Sequence, residues 1–226
     1  IGLGAQLMAV VAEGNRQRVY LPPTSDQEKA ADLDKLDDAP PGELFDWPGR
    51  INVYRYGLTM FTDLFTNRQL VALTTFSDLV LVARDRVLAD ALATGQSEGE
   101  RLEAGGADAS AYADAVATYL GLAVSRTPDR SSTIAGWDSS LGKVRNTFGR
   151  QAIPMTWDFA ETGLFSTSSG NFLSQFDWVA DSFEQGPAGP SGEASQIDAA
   201  GRQFDGLLIS TDPPYYDNIG YSDLSD

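Results

Sequence analysis

The sequence predicts an α/β fold, and three features of the chain point to it. Two strand-like runs flank a turn near the N-terminus, amphipathic stretches with helical spacing fill the middle, and a short apolar run bounded by turn residues lies near the C-terminus. These features divide the chain into an N-terminal hairpin and connection over 1–56, a mainly helical region over 57–185 and a strand-bearing region over 186–226. With 226 residues, 42% of them hydrophobic, the chain can bury a core as one domain or two small ones.

The N-terminal region alternates short predicted elements with turns. Alternating apolar residues predict strands, and a hydroxyl residue followed by acidic residues predicts a capped helix. In order, these are strands over 7–11 and 18–21 with a turn over 13–15, a helix capped by Thr24 or Ser25 and continuing to Leu33, an acidic surface connection over 35–47, and a strand over 51–56.

Four helices are predicted in the middle region from apolar residues spaced three and four apart. The longest follows Thr66 or Asn67 and turns one face inward: Leu73, Phe76, Val80, Ala83, Val87 and Ala91. The next spans about 110–126, with Tyr112, Val116, Tyr119, Leu120 and Ala123 inward. A third is predicted after Asp138 or Ser139 with Leu141, Val144 and Phe148 on one side, and a fourth after Asn171 with Phe172, Phe176, Val179 and Phe183.

The C-terminal region carries two predicted strands. A Pro- and Gly-rich loop over 186–195 precedes a short strand over 195–199, and the apolar run Gly206–Ile209 predicts a fully buried strand. Two consecutive prolines, Pro213 and Pro214, fix the backbone after that run and remove two amide donors. We therefore expect a rigid, extended lip that carries the carboxylate of Asp212.

This lip suits the binding of a planar exocyclic amine. The carboxylate of Asp212 can accept one N–H of the amine and the carbonyl of Pro213 the other, while Tyr215 stacks on a base that has left the duplex. Catalysis would then rest on positioning and electrostatics without a strong base. The alternative is a diproline turn that only closes a strand.

The motif Asp212-Pro213-Pro214-Tyr215 after an apolar strand resembles the catalytic motif of amino-methylating DNA methyltransferases. The longer string over 210–221 is similar to a branch of large adenine-specific DNA methylases, some of which carry a zinc ribbon. Four further stretches resemble that branch, so the likeness covers most of the chain: Leu64–Leu70, Trp137–Ser140, Lys143–Phe148 and Ser168–Asn171.

The resemblance implies a partial Rossmann-like methyltransferase sheet and S-adenosylmethionine as cofactor. It implies that Asp198 holds the adenine of the cofactor and that Phe65 and Thr66 contact its methionine part, against the plainer alternatives of a turn-initiating aspartate and a capped core helix. Adenine N6 is the expected target, with substrate contacts from Tyr216 and Asn218. Methylation of RNA bases or protein glutamine is the second hypothesis, and a non-catalytic helical interaction module is the third.

Composition limits the chemistry. The chain has no cysteine and no histidine, which excludes disulfides, histidine acid–base catalysis and the usual zinc ligand sets. No apolar run reaches membrane-spanning length and there is no secretory signal, which predicts a cytoplasmic protein without a membrane partner.

The net charge of −16 is unfavourable for DNA binding, but it is unevenly distributed. From 151 to 226 there are 12 acidic residues and one basic residue, a net charge of −11, whereas 126–150 holds five basic and two acidic residues, a net charge of +3. Phosphate contacts are therefore expected from Arg145 and Arg150. The alternative is that these residues only form a solvent-exposed helix face. Most of the grip on DNA would come from outside the chain.

The glycine-rich cofactor loop of the resembling family is not found in this sequence, and the chain starts without methionine. We therefore expect a piece of a longer protein that binds S-adenosylmethionine weakly or not at all and is inactive alone. The sequence indicates no particular protein partner.

Overall fold

The computed structural model describes residues 4–186 and 197–212 and shows a mixed α/β chain. Its strands form two small antiparallel sheets of two strands each. Within the described residues there is no Rossmann-like sheet. The elements are β1 Val10–Glu13, β2 Arg18–Leu21, α1 Ser25–Ala31, α2 Asn67–Ala93, α3 Ala109–Arg126, β3 Trp137–Asp138, β4 Lys143–Val144 and α4 Phe172–Glu184, with 3₁₀ turns at Asn52–Tyr56, Phe61–Leu64, Leu102–Ala104, Thr127–Arg130 and Ala199–Gly201.

The N-terminal hairpin is confirmed, with its first strand shifted along the chain. β1 pairs with β2 from Val10 opposite Leu21 to Glu13 opposite Arg18, so the strand begins three residues later than 7–11 predicts. The Gly14 amide closes the turn by donating to the Gln17 carbonyl at 2.8 Å. The predicted capped helix follows as α1, with Thr24 accepting from the Gln27 amide and the Gln27 side chain accepting from the Thr24 amide.

The main apolar cluster lies between segments that are far apart in sequence. It contains Leu44, Ile51, Val53, Leu64, Ile134 and Ile153. The predicted strand over 51–56 is wrong: Asn52–Tyr56 forms a 3₁₀ turn that ends at Gly57, where φ is +86°. Ile51 makes a single parallel bridge to Ile153, and no second bridge extends it. Burying Ile51 and Val53 therefore holds this segment through packing rather than through a ladder.

Three helices form a layer in which α3 packs against both α2 and α4. The inward face predicted for α2 is confirmed, since each of its six residues is buried or half-buried. On α3 the buried apolar residues are alanines, namely Ala109, Ala111, Ala113 and Ala123, while Tyr112 and Tyr119 are 56% and 39% exposed. The predicted inward placement of Tyr112 and Tyr119 was therefore wrong, although the Tyr119 ring contacts Phe183 of α4 with ring centroids 5.0 Å apart.

The predicted fourth helix is confirmed as α4, which begins at the cap Asn171. Its first residue, Phe172, stacks on Phe76 of α2 with ring centroids 4.1 Å apart, which fixes the start of α4 against α2. Of the inward residues predicted for this helix, Phe176 and Phe183 are exposed.

The helix predicted after Asp138 or Ser139 is wrong, because the chain forms the hairpin of β3 and β4 instead. Asp138 does accept from the amides of Ser140 and Leu141, as a helix cap would. Gly142 then takes a φ of +60°, a left-handed conformation that cannot continue a right-handed helix. The turn returns the chain so that Lys143 lies opposite Asp138.

Both C-terminal strand predictions are wrong within the described residues. Ala199 starts a 3₁₀ turn where a strand over 195–199 was predicted. The run Gly206–Ile209 follows a turn and has no strand partner, with Leu208 fully exposed. A three-residue apolar run gains little as a strand unless a sheet covers it, and no described strand lies beside it.

Candidate functional site

The Asp212 carboxylate, on which the amine-binding hypothesis depends, is exposed. Among the described residues it has no ion-pair partner. The residues just before it, Leu207 and Ile209, are more than half exposed. The other members of the predicted catalytic and substrate-binding set lie outside the described residues: Pro213, Pro214, Tyr215, Tyr216 and Asn218. Geometry at the lip is therefore known only up to its acid.

Asp198, the residue predicted to hold the cofactor's adenine, caps a short turn. One of its carboxylate oxygens, Oδ1, accepts from the Ala200 amide at 2.9 Å, and the 3₁₀ turn Ala199–Gly201 follows. This is the turn-initiating aspartate that was one of its two alternatives. The cofactor contact stays a prediction.

Thr66 and Phe65 both have structural partners. Thr66 is the N-cap of α2: its hydroxyl oxygen accepts from the Gln69 amide at 3.2 Å and its hydroxyl donates to Glu161 Oε1 at 2.8 Å. Phe65 packs against the main apolar cluster. The capped core helix, which was the plainer alternative for this segment, is therefore present.

Sequence reasoning did not assign a role to Glu161, which organises the N-terminal end of α2. Arg68 donates to both oxygens of Glu161, with Nη2 2.7 Å from Oε1. Arg68 also donates to the carbonyl of Ala31, and Asn67 donates to the carbonyl of Leu33 at 2.7 Å. These contacts join the end of α1, the start of α2 and the segment around Glu161. A local sequence pattern does not predict such a cluster, because the residues in contact are 34 to 93 positions apart.

Arg145 lies on the second hairpin and is paired. Its Nε is 3.4 Å from Asp138 Oδ2, and its side chain is 64% exposed. The Ser140 hydroxyl and the Leu141 amide hold the pKa of Asp138 below its usual value, so this carboxylate is ionised. Arg150 is exposed. Both are available to solvent, though on a hairpin and the segment after it rather than on a helix.

The structure brings the first hairpin against the second, a contact that the sequence did not predict. The indole Nε1 of Trp137 donates to the Tyr20 hydroxyl at 2.9 Å, and the two rings meet edge to face. Arg18 Nε donates to the Gly142 carbonyl at 3.1 Å. A polar groove of about 480 Å³ lies between the hairpins, lined in part by Arg16, Arg18, Tyr20 and Ser140.

A second groove, of about 680 Å³, lies between the C-terminal ends of α3 and α4. Aromatic and aliphatic side chains dominate it, including Tyr119, Leu122, Trp178 and Phe183. The Arg126 guanidinium sits 5.2 Å from the centroid of the Trp178 ring, within cation–π distance. Neither groove is lined by a predicted cofactor residue.

The described residues form neither a metal site nor a membrane-spanning helix. No group of three or more acidic side chains is placed to hold a metal ion there. None of the helices in 4–186 and 197–212 combines the length and apolar character needed to cross a bilayer.

No family model, curated protein or solved structure matches this chain.

Proposed function

We propose that this chain is part of an S-adenosylmethionine-dependent DNA amino-methyltransferase that acts on adenine N6. The observation that carries the proposal is the tetrapeptide Asp212-Pro213-Pro214-Tyr215, in which one acid directly precedes a rigid diproline and an aromatic ring. Asp212 is exposed and has no ion-pair partner among the described residues, which supports the proposal because a carboxylate that is to accept a hydrogen bond from an amine must be free of a competing cation.

The chain's own contribution to the reaction is to hold the amine. Asp212 accepts one N–H and the Pro213 carbonyl accepts the other, which draws the nitrogen away from planarity and makes its lone pair available for attack. Tyr215 stacks on the extruded base and keeps it in position. The rate acceleration comes from the orientation of the amine and from fixed partial charges, so no group with a raised pKa is required.

The described residues do not fit a pocket for the cofactor. The Thr66 hydroxyl is engaged with Glu161 and the Gln69 amide, Phe65 is packed in the core cluster, and one oxygen of Asp198 is held by a turn amide. S-adenosylmethionine would supply the methyl group, and under this proposal its binding falls to residues outside the described ones.

A non-catalytic interaction module is the second candidate, and one observation favours it. The run Leu207–Ile209 is exposed rather than buried in a sheet, and Leu79, Leu81 and Val82 on the outer face of α2 are about half to two-thirds exposed. Apolar surface of this kind is typical of contacts with other chains or domains.

The proposal is tested in cells that express the full-length protein containing these residues and lack other adenine methylation. Genomic DNA is digested and N6-methyladenine is measured by mass spectrometry. We expect the modified base with the unchanged protein and with Asp205→Ala, a control at another exposed aspartate nearby, and none with Asp212→Ala.

The other outcomes separate the alternatives. Methylated RNA bases or methylglutamine, lost in Asp212→Ala while DNA stays unmodified, would support the second substrate class and contradict the DNA proposal. No Asp212-dependent methylation of DNA, RNA or protein would leave the interaction module as the better account.

A further inference from the structure

The two hairpins bring basic residues together from opposite parts of the sequence. Arg16 lies in the turn of the first hairpin and Arg18 in β2, while Lys143 lies in β4 and Arg145 directly after it. All four are exposed. The contact between Arg18 and the Gly142 carbonyl, at 3.1 Å, places the two groups at one surface. We call the surface formed by β1 to β2 and β3 to β4 the double-hairpin face.

We propose that the double-hairpin face binds the sugar–phosphate backbone of duplex DNA. The inference deepens the proposed function, from which it takes DNA as the partner, and it names the surface that would hold the duplex.

The charge balance of this face is opposite to that of the chain. Its four cations face two acids, Glu13 opposite Arg18 in the strand register and Asp138 beside Arg145. The face therefore has a net charge of +2 in a chain whose net charge is −16. Salt screens charges beyond about 8 Å at physiological ionic strength, so a local cluster of this kind can act despite the acidic remainder.

Two of the cations are uncommitted. Arg145 is paired with Asp138, and Arg18 is used to hold the second hairpin. Among the described residues, Arg16 and Lys143 have no ion-pair partner. They are the side chains on this face that can neutralise phosphates without breaking a protein contact.

Hydroxyl groups accompany the cations. Ser139 from the second hairpin and Tyr20 from the first line the groove of about 480 Å³ together with Arg16, Arg18 and Glu13. The Ser140 hydroxyl also lines it but donates to Asp138 Oδ1 at 2.6 Å. Phosphate contacts in protein–DNA complexes come from Arg and Lys together with Ser, Thr and Tyr hydroxyls and backbone amides. An acidic peptide could pair with the cations. The DNA backbone could in addition accept hydrogen bonds from the hydroxyl groups, and it has a far higher charge density.

The test measures binding of a fluorescein-labelled duplex by anisotropy over a series of salt concentrations. The variant Arg16→Gln/Lys143→Gln removes the two uncommitted cations, and Lys29→Gln/Arg86→Gln removes the same charge from exposed positions on α1 and α2. We expect the first variant to lose about 25-fold in affinity at low salt, since each of the two contacts contributes about fivefold. The slope of log K against log salt should fall in magnitude by about 1.8, or about 0.9 for each phosphate contact.

Three results would overturn the inference: equal weakening by both double variants, no binding of duplex by the unchanged chain at low salt, or binding of poly-glutamate as tight as that of DNA. Thermal unfolding of both variants checks that the fold is kept. The assay measures binding alone and needs no methyl transfer. Failure of this inference therefore leaves the methylation result standing, and failure of methylation leaves this binding result standing.

Discussion

Replacing Ile51 with alanine tests the core that the structure assigns. Ile51 is 1% exposed and lies in the main apolar cluster with Val53 and Ile153. The substitution removes three buried carbon atoms, which at about 0.8 kcal/mol each gives a transfer loss of roughly 2.4 kcal/mol. The remaining cavity adds to this, so we expect a total of about 3–4 kcal/mol, within the range of about 2–5 kcal/mol known for such substitutions. For a chain of this size the melting temperature should fall by about 6–16 °C.

Leu208→Ala is the matched comparison, because it removes a similar apolar group from a side chain that is fully exposed. The structure predicts a change in the free energy of unfolding within about 0.5 kcal/mol, whereas a buried strand over 206–209 would predict a loss of about 2–5 kcal/mol. Urea unfolding followed by far-ultraviolet circular dichroism measures both variants. Equal destabilisation by Ile51→Ala and Leu208→Ala would refute the assignment of the core. It would favour the buried strand that the sequence predicts over 206–209.

Two predictions concern the polar contacts of the helical layer. Burial works to raise the pKa of Asp114, but hydrogen bonds from Arg101, Arg84 and the Leu102 amide outweigh it and hold the pKa at about 2. The ionised carboxylate therefore stabilises the fold above about pH 4, and this contribution is lost as the pH falls towards 2. In Asp114→Asn the free energy of unfolding should therefore change less between pH 5 and 2 than in the unchanged chain. The same pH dependence in both proteins would contradict this. Thr66→Ala removes the N-cap of α2 and its hydrogen bond to Glu161, and should lower the free energy of unfolding in urea by about 1 kcal/mol. Thr75→Ala, at an exposed position of the same helix, should change it by almost nothing. Equal losses in the two variants would refute the capping role of Thr66.

Helix starts were predictable from sequence because their causes are local. Thr24, Thr66 and Asn171 each accept from an amide three residues ahead, and a glutamine at that position returns a bond to the first two. A hydroxyl or amide residue before an amphipathic stretch is enough to place such a start. The same rule failed at Asp138, where the cap contacts form but the left-handed Gly142 follows four residues later. The sequence contained that glycine, so the hairpin was open to prediction.

Contacts between distant residues were not predictable. The Arg84 side chain is mostly buried, and Asp114, 30 residues later, accepts a hydrogen bond from it at 2.6 Å. Glu161 joins Arg68 across 93 residues in the same way. Of the candidate site, the motif at Asp212 was visible as a string of residues. The double-hairpin face was not, because the two hairpins contact each other, through Arg18 and the Gly142 carbonyl, only in the folded chain.

The exposed run before Asp212 places a condition on the proposed function. A carboxylate that holds an amine in a fixed geometry needs a rigid support, and three exposed apolar residues without a strand partner do not provide one. If the methylase proposal is correct, the run must pair with a strand that lies outside the described residues. Leu208→Ala should then lower methyl transfer by the full-length protein severalfold while leaving the unfolding of the 226-residue chain unchanged. Full methylation activity in that variant would mean that Asp212 is held without this run, and the buried support for the amine would have to be sought elsewhere.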